Sequence, residues 1–270
     1  MKLSIITVNY NDKKGLRRTL DSVSLQHSKE FEHIIIDGGS IDGSYEEILL
    51  YEETNGQSYR IISVSEKDNG VYDAMNKGIS YATGDYCIFM NSGDSFYDGL
   101  VVGHFLKNSP SLDIISGVCC EHIENSLRFW IPPEEKDFCL RWFYRHSLSH
   151  QATFIRTSIM KELMYDIQFR IVSDWKFFME AILIKRCSYA CIDLKVCHYQ
   201  DGGISRNAEK AFAEREEVIK SLFGNRILRD FHSMEYGTDD WDALAKKVDY
   251  NSKIGKLIFI LTRFLLMFRR

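Results

Sequence analysis

No C-x-x-C pair occurs among the seven cysteines of this 270-residue sequence, and their number is odd. That pattern speaks against a disulfide framework and against a zinc site, and for reduced thiols in the cytosol. No charge of one sign dominates: 34 Lys and Arg stand against 38 Asp and Glu, for a net charge of −4. A surface for nucleic acid is therefore not expected. The opening "MKLSIITVNYND" lacks the long apolar region and small-residue cleavage site of a signal peptide, and its apolar run has strand length. The expected location is the cytoplasm. Internal repeats and low-complexity tracts are missing too.

What is present is enough apolar residue, 45%, to fill the core of one large α/β domain with an appendage. Over the first hundred residues, β-rich runs alternate with helical patterns. Strands are expected at 3–10, 31–37, 59–65 and 85–90, and helices at 12–26, 41–53 and 71–82, the first with a Leu16, Leu20, Val23, Ser24 stripe. Such alternation with short polar turns predicts βαβ units and a mostly parallel sheet covered on both faces. Polar clusters fall at the strands' carboxyl ends: Thr7, Asn9 and Tyr10; Asp37 to Ser40; Glu66 to Gly70; Asn91 to Asp94. Open α/β sheets bind ligands along that edge.

Beyond residue 110 the pattern loosens. Strands are expected at 112–120, 126–131 and 188–200, and helices at 173–186 and from 207 on; "FCLRWFYRHSL" (138–148) is aromatic and basic. The segment "KIGKLIFILTRFLLMFRR" carries Lys253, Lys256, Arg263, Arg269 and Arg270, no acid, and an apolar run. That run is too short to cross a bilayer of roughly 30 Å as a helix. Two readings fit it: a helix docked on the domain or on a second subunit of a homodimer, or a helix lying on an anionic membrane.

Individual residues carry some chemistry. Asp94 ends a buried strand on a Gly-containing turn, where a carboxylate can hold a hard divalent cation and leave positions open for phosphates. Alone, it reads more readily as a solvated turn residue. Asp37 with Gly38, Gly39 and Ser40 sets small residues and backbone N–H groups where a nucleotide can approach. Asp73, Asn76 and Lys77 share a helix face by spacing, although Asp73 and Lys77 also fit a surface ion pair. Asp174, at a helix start, suits a general base and equally suits a cap.

Taken in order, "SIITVNYND", "IIIDGGSIDGS", "DNGVYDAMNKGISYATGDYCIFMNSGDSF", "SHQATFIR" and "SDWKFF" resemble a family 2 glycosyltransferase of GT-A fold, closest to bacterial enzymes that build surface polysaccharides. The resemblance covers residues 3 to about 206. It implies a Rossmann-like, mostly parallel sheet flanked by helices, with a donor half at about 1–98 and an acceptor half at about 99–206. A helical extension (207–252) and the basic amphipathic tail (253–270) follow.

By the same resemblance, Asp37 lies at the nucleotide base and Thr7, Asn9 and Tyr10 on the nucleotide-facing rim, with Gly39 and Ser40 beside them. Asp68, Asp73, Asn76 and Lys77 stand near the ribose and diphosphate. Asn91-Ser92-Gly93-Asp94 occupies the place of an Asp-x-Asp motif; with Asn91 and Gly93 departing from the pattern, Asp94 is left as the strong ligand for Mg²⁺ or Mn²⁺, and Asn91 joins the donor-binding set. Asp174 matches the general base. His150, Gln151 and Trp175 stand on the acceptor side, and Gly202, Gly203 and Ser205 in a closing loop.

The expected activity is inverting transfer of a sugar from a nucleotide-sugar donor to a saccharide or lipid-linked saccharide. A nucleotidyltransferase would need a Gly-rich loop with Lys or Arg directly after the first strand, where Asn9-Tyr10-Asn11-Asp12 stands. A non-catalytic nucleotide-sugar-binding protein on the same fold is the third reading.

Overall fold

A computed structural model describes residues 2–108, 111–123, 126–200 and 208–247. Gly202, Gly203 and Ser205 of the expected closing loop, and the tail 253–270, lie outside them. The chain forms two compact units, Met1–Val218 and Ile219–Arg270.

In the first unit, β1 (Leu3–Asn9), β2 (Phe31–Asp37), β3 (Arg60–Ser65) and β4 (Tyr86–Phe89) pair in parallel in the order β3-β2-β1-β4. All residues of β1, β2 and β4 are buried. Continuous apolar runs of this kind suit strands covered on both faces. The crossovers are α1 (Lys13–Ser24), α2 (Ser44–Asn55) and α3 (Val71–Tyr81). Helix α1 begins where Asp12 accepts a hydrogen bond from the Gly15 N–H at 3.0 Å, and it buries Leu16, Leu20 and Val23. Thr19 completes that face in place of Ser24.

Register decides where the polar ends meet. Asn9 pairs with Asp37 and Asp37 with Ser65, while the Met90 and Ser92 N–H groups donate to Ile6 and Val8. Because the chain runs outward from β1 to β3 and returns on the other side as β4, a crevice opens at the β1 and β4 ends.

The remaining elements are β5 (Ser95–Phe96), α4 (Val101–Asn108), β6 (Ile114–Ile123), β7 (Ser126–Trp130), α5 (Leu140–Arg145), β8 (Thr153–Arg156), α6 (Thr157–Leu163), α7 (Ser173–Met179), β9 (Tyr189–Gln200) and α8 (Ala208–Lys247). The sheet continues from β4 as β8-β6-β9-β5, with β7 on β6. Here it is mixed: β8 runs antiparallel to β4 and β6, and β9 parallel to β6. A π-helical turn, Glu180–Ile184, extends α7. The backbone of α8 leaves helical geometry at Gly224.

Candidate active site

At the β1–β3 ends the side chains tie a knot. Asp37 is fully buried and accepts from Asn9 Nδ2 at 2.8 Å, Ser65 Oγ at 2.7 Å, the Ser40 N–H at 3.0 Å, and the Ser40 hydroxyl. Burial alone would raise its pKa, but these donors outweigh it and the net shift is downward. Thr7, expected on the rim, lies inside instead. Its hydroxyl donates to the Met90 carbonyl at 2.8 Å and meets His33 Nε2 at 2.9 Å. Burial drives the His33 pKa down to about 3, so that ring is a neutral packing element.

Above the knot lies a cleft of about 510 Å³ lined by Tyr10, Gly38, Gly39, the Lys67–Gly70 turn and Arg170. A Cβ on Gly38 would stand 2.5 Å from an Asp68 carboxylate oxygen, so the absent side chain is what lets the two loops close up. Asp73, Asn76 and Lys77 are not among the lining residues; they shape the cleft from behind. Asp73 accepts from the Asn69 N–H at 2.9 Å, and Lys77 pairs with Glu66 at 2.8 Å while donating to the Lys67 carbonyl. Asn76 grips the Tyr165 backbone through both ends of its amide, each at 2.8 Å.

A line of hydrogen bonds joins the β4 turn to α7. Asn91 Nδ2 lies 3.2 Å from His150 Nε2, His150 Nδ1 lies 3.1 Å from Asp174 Oδ2, and Tyr72 OH donates to Asp174 Oδ1 at 2.9 Å. Burial would neutralise both His150 and Asp174. Their pairing overrides it, so the imidazole pKa is raised and the carboxyl pKa lowered. Asn91 Oδ1 is buried without a partner. With its amide turned over, Asn91 would accept the Nε2–H of an imidazolium, so the site accommodates the charged ring.

Helix α7 has no side-chain cap of its own. Glu214 of α8 instead ties down the loop that leads into it, its carboxylate accepting the N–H groups of Arg170, Ile171 and Val172 at 3.0, 2.9 and 3.1 Å. Trp175 is buried and donates to the Phe143 carbonyl at 2.8 Å, so it braces α7 from inside. Gln151, also buried, accepts from Ser149.

The turn after β4 fits a cation in part. Gly93 has φ +98, a conformation that favours glycine, and Asp94 follows it with 5% exposure. The Asp94 carboxylate is a hard oxygen donor whose field reaches His150. Among the described residues no group of three His, Cys, Asp or Glu is placed to hold an ion. An ion here would therefore draw its other ligands from phosphate and water.

Sequence reasoning missed Arg170 and Glu214, and gave Lys67 and Tyr72 no role of their own within the stretches that contain them. Arg170 stands four residues before Asp174 and donates to the Asn69 carbonyl at 2.8 Å, bridging the loop that leads into α7 and the cleft. Its spacing from Asp174 was the available signal.

Comparison with known proteins gives these features a context. The family model Glycosyl transferase family 2 matches residues 4–182. An uncharacterized glycosyltransferase of Mycobacterium tuberculosis is 31% identical over 235 residues, 85% of this chain and 84% of that one. A PGL/p-HBAD biosynthesis glycosyltransferase of Mycobacterium bovis is 29% identical, covering 78% of this chain and 82% of its own.

Among solved structures, S. aureus TarS 1-349 in complex with UDP-GlcNAc superposes with a TM-score of 0.64 at 17% identity, covering 92% of this chain and 76% of that one. The Pyrobaculum calidifontis mannosyltransferase PcManGT, in complex with GDP-Man and Mn²⁺, gives 0.64 at 14% identity, with 98% and 80% covered. At such identities the likeness is one of fold, and the fold is GT-A.

Proposed function

The chain belongs to Glycosyl transferase family 2, and from that premise we propose that it transfers a sugar, with inversion, from a nucleotide-sugar donor to a saccharide or lipid-linked saccharide. The observation that carries the reading is the Asn91–His150–Asp174 line, which sets an ionised carboxylate within reach of the turn bearing Asp94.

In this reading the nucleotide enters the cleft against Tyr10, Gly39 and Asp68, over the platform made by Asn9, Asp37 and Ser40. Lys67 and Arg170 face its diphosphate. Asp174 takes the proton of the acceptor hydroxyl as that oxygen attacks the anomeric carbon opposite the departing nucleotide diphosphate, and that geometry inverts the configuration. Asp94 would hold Mg²⁺ or Mn²⁺, which when bound stabilises the negative charge of the leaving diphosphate. His150 and Gln151 border the acceptor side, and Gly202, Gly203 and Ser205 belong to a closing loop. A lipid-linked acceptor would be met at the cytosolic membrane face, with the protein held there peripherally by residues 253–270.

The test is a panel of nucleotide sugars screened for donor hydrolysis, with Mn²⁺ and after exhaustive chelation. One donor hydrolysed above the rest, with loss on chelation restored by Mn²⁺, supports both parts. Full activity after chelation removes the metal role, and no hydrolysis of any donor overturns the transfer reading.

A further inference from the structure

Helix α5 has two unlike sides. Its inner side is bolted to the helix that carries Asp174: the Phe143 carbonyl accepts from Trp175 Nε1 at 2.8 Å, and the Tyr144 carbonyl from Arg215, whose guanidinium lies 5.0 Å from the Trp175 ring centroid. Its outer side presents Arg141, Trp142 and Arg145, an i, i+1, i+4 set that shares one face, and His146 follows in extended backbone at the helix end. These four, with Pro133 and Asp137 opposite, line a second cavity of about 410 Å³.

The charge of this cavity is unusual for a merely solvated surface. Arg141 and Arg145 are like charges at i, i+4 on a helix of only six residues, a spacing that weakens a helix. Arg141 makes no ion pair among the described residues. The acid of the lining, Asp137, accepts from the Glu134 N–H at 3.1 Å and so closes its own turn. Trp142 packs against the His146 ring with centroids 5.5 Å apart, giving an aromatic wall of the kind that takes a sugar face or an alkyl chain. The donor has its own cleft, with Lys67 and Arg170 as its cations. Two arginines against one carboxylate leave the lining of this second cavity net positive.

We propose that the α5 cavity binds the phosphate of a phosphate-bearing acceptor, clamped by Arg141 and Arg145 with Trp142 against the adjoining sugar or alkyl group. Guanidinium forks match phosphate oxygens in geometry as well as charge. Helix α5 is tied to the helix that carries Asp174 by the Phe143–Trp175 bond, so an acceptor anchored on α5 is held by the element that braces that helix. The phosphate can belong to a soluble sugar phosphate or to a polyprenyl phosphate carrier, the chemistry at the arginines being the same.

This proposal rests on the glycosyl-transfer reading for the word acceptor, but its test does not. Full-length protein is titrated with glucose 1-phosphate, with methyl glucoside, and with polyprenyl phosphate in nonionic micelles, reading tryptophan fluorescence. A response to one or both phosphates, absent with the neutral glycoside and abolished by Trp142→Phe, places the ligand in this cavity and not at the tail or the donor cleft. Which phosphate responds identifies the source. Arg141→Gln/Arg145→Gln should weaken binding by at least about tenfold, equivalent to about 1.4 kcal/mol. Should the double variant melt early, the exposed single change Arg141→Gln decides by the same titration.

Equal response to the neutral glycoside, no response at all, or binding by the arginine variants as tight as wild type would overturn the proposal. Wild-type protein that hydrolyses no nucleotide sugar yet binds phosphate through these arginines would instead overturn the transfer reading and leave the anion site standing.

Discussion

Asp174 and His150 hold opposite charges in a place that by burial alone would neutralise both, and that balance sets the pH behaviour. The carboxyl pKa is lowered from 3.8, so its share of the pairing is present above that value and is lost on acidification below it. The imidazole pKa is raised from 6.5, so its share is complete below 6.5 and is lost as pH rises through the folded value. Between those limits Asp174 is an ionised carboxylate restrained by its imidazolium partner. Above them the imidazolium discharges and Asp174 becomes the stronger proton acceptor. Turnover at saturating donor should therefore rise through an inflection above pH 6.5, and His150→Gln should erase that inflection; an unchanged profile would detach His150 from the base. Asp174→Asn keeps the shape and the Tyr72 contact but removes proton acceptance. Donor affinity should stay within a few-fold while turnover falls by roughly 10²–10⁴, and wild-type turnover would move the base elsewhere.

Elements decide whether such residues stay in place. The start of α7 is held by Glu214, which takes three N–H groups of the approach loop that also carries Arg170. Glu214→Ala leaves those donors without their acceptor, at a cost of about 1–3 kcal/mol. The expected result is a lower melting temperature and a fall in turnover larger than the change in donor KM. An equal loss in both would mean that the loop, not the base, is what Glu214 positions.

Much of the first hundred residues was legible because the strands there are continuous apolar runs and the polar residues gather at strand ends. Asn9, Asp37 and Ser40 meet as that pattern predicts. The elements not foreseen, β5, α4, α5, β8 and α6, are short pieces of two to eight residues whose pattern is set by neighbours far away in sequence. Thr7, Asn76 and Trp175 were read as ligand-facing because type and position cannot tell a buried polar side chain with internal partners from one that awaits a ligand. The His150–Asp174 pair spans 24 residues and the Tyr72–Asp174 bond 102, so neither has a local signature.

At the scale of the whole molecule, a chain of net charge −4 gathers five bases and no acid in residues 253–270. No helix among the described residues is long and apolar enough to cross a membrane. The tail itself lies outside them, so its role rests on sequence and on experiment. From Leu257 to Phe268 nearly every position is apolar, which a helix could hide against protein or in the headgroup region of a bilayer. Bases without acids favour the second, since anionic lipid attracts each of them and a protein surface of net negative charge attracts them only where acids cluster. Deleting 253–270 should therefore abolish co-sedimentation with anionic vesicles at low salt and move the protein to the soluble fraction, while donor hydrolysis persists. Full-length protein that ignores such vesicles, or a truncated chain that loses its cooperative melt, would instead assign the segment to packing on the domain or on a second subunit. In that case size-exclusion chromatography of the truncated chain separates the two, because only loss of a subunit contact halves the mass.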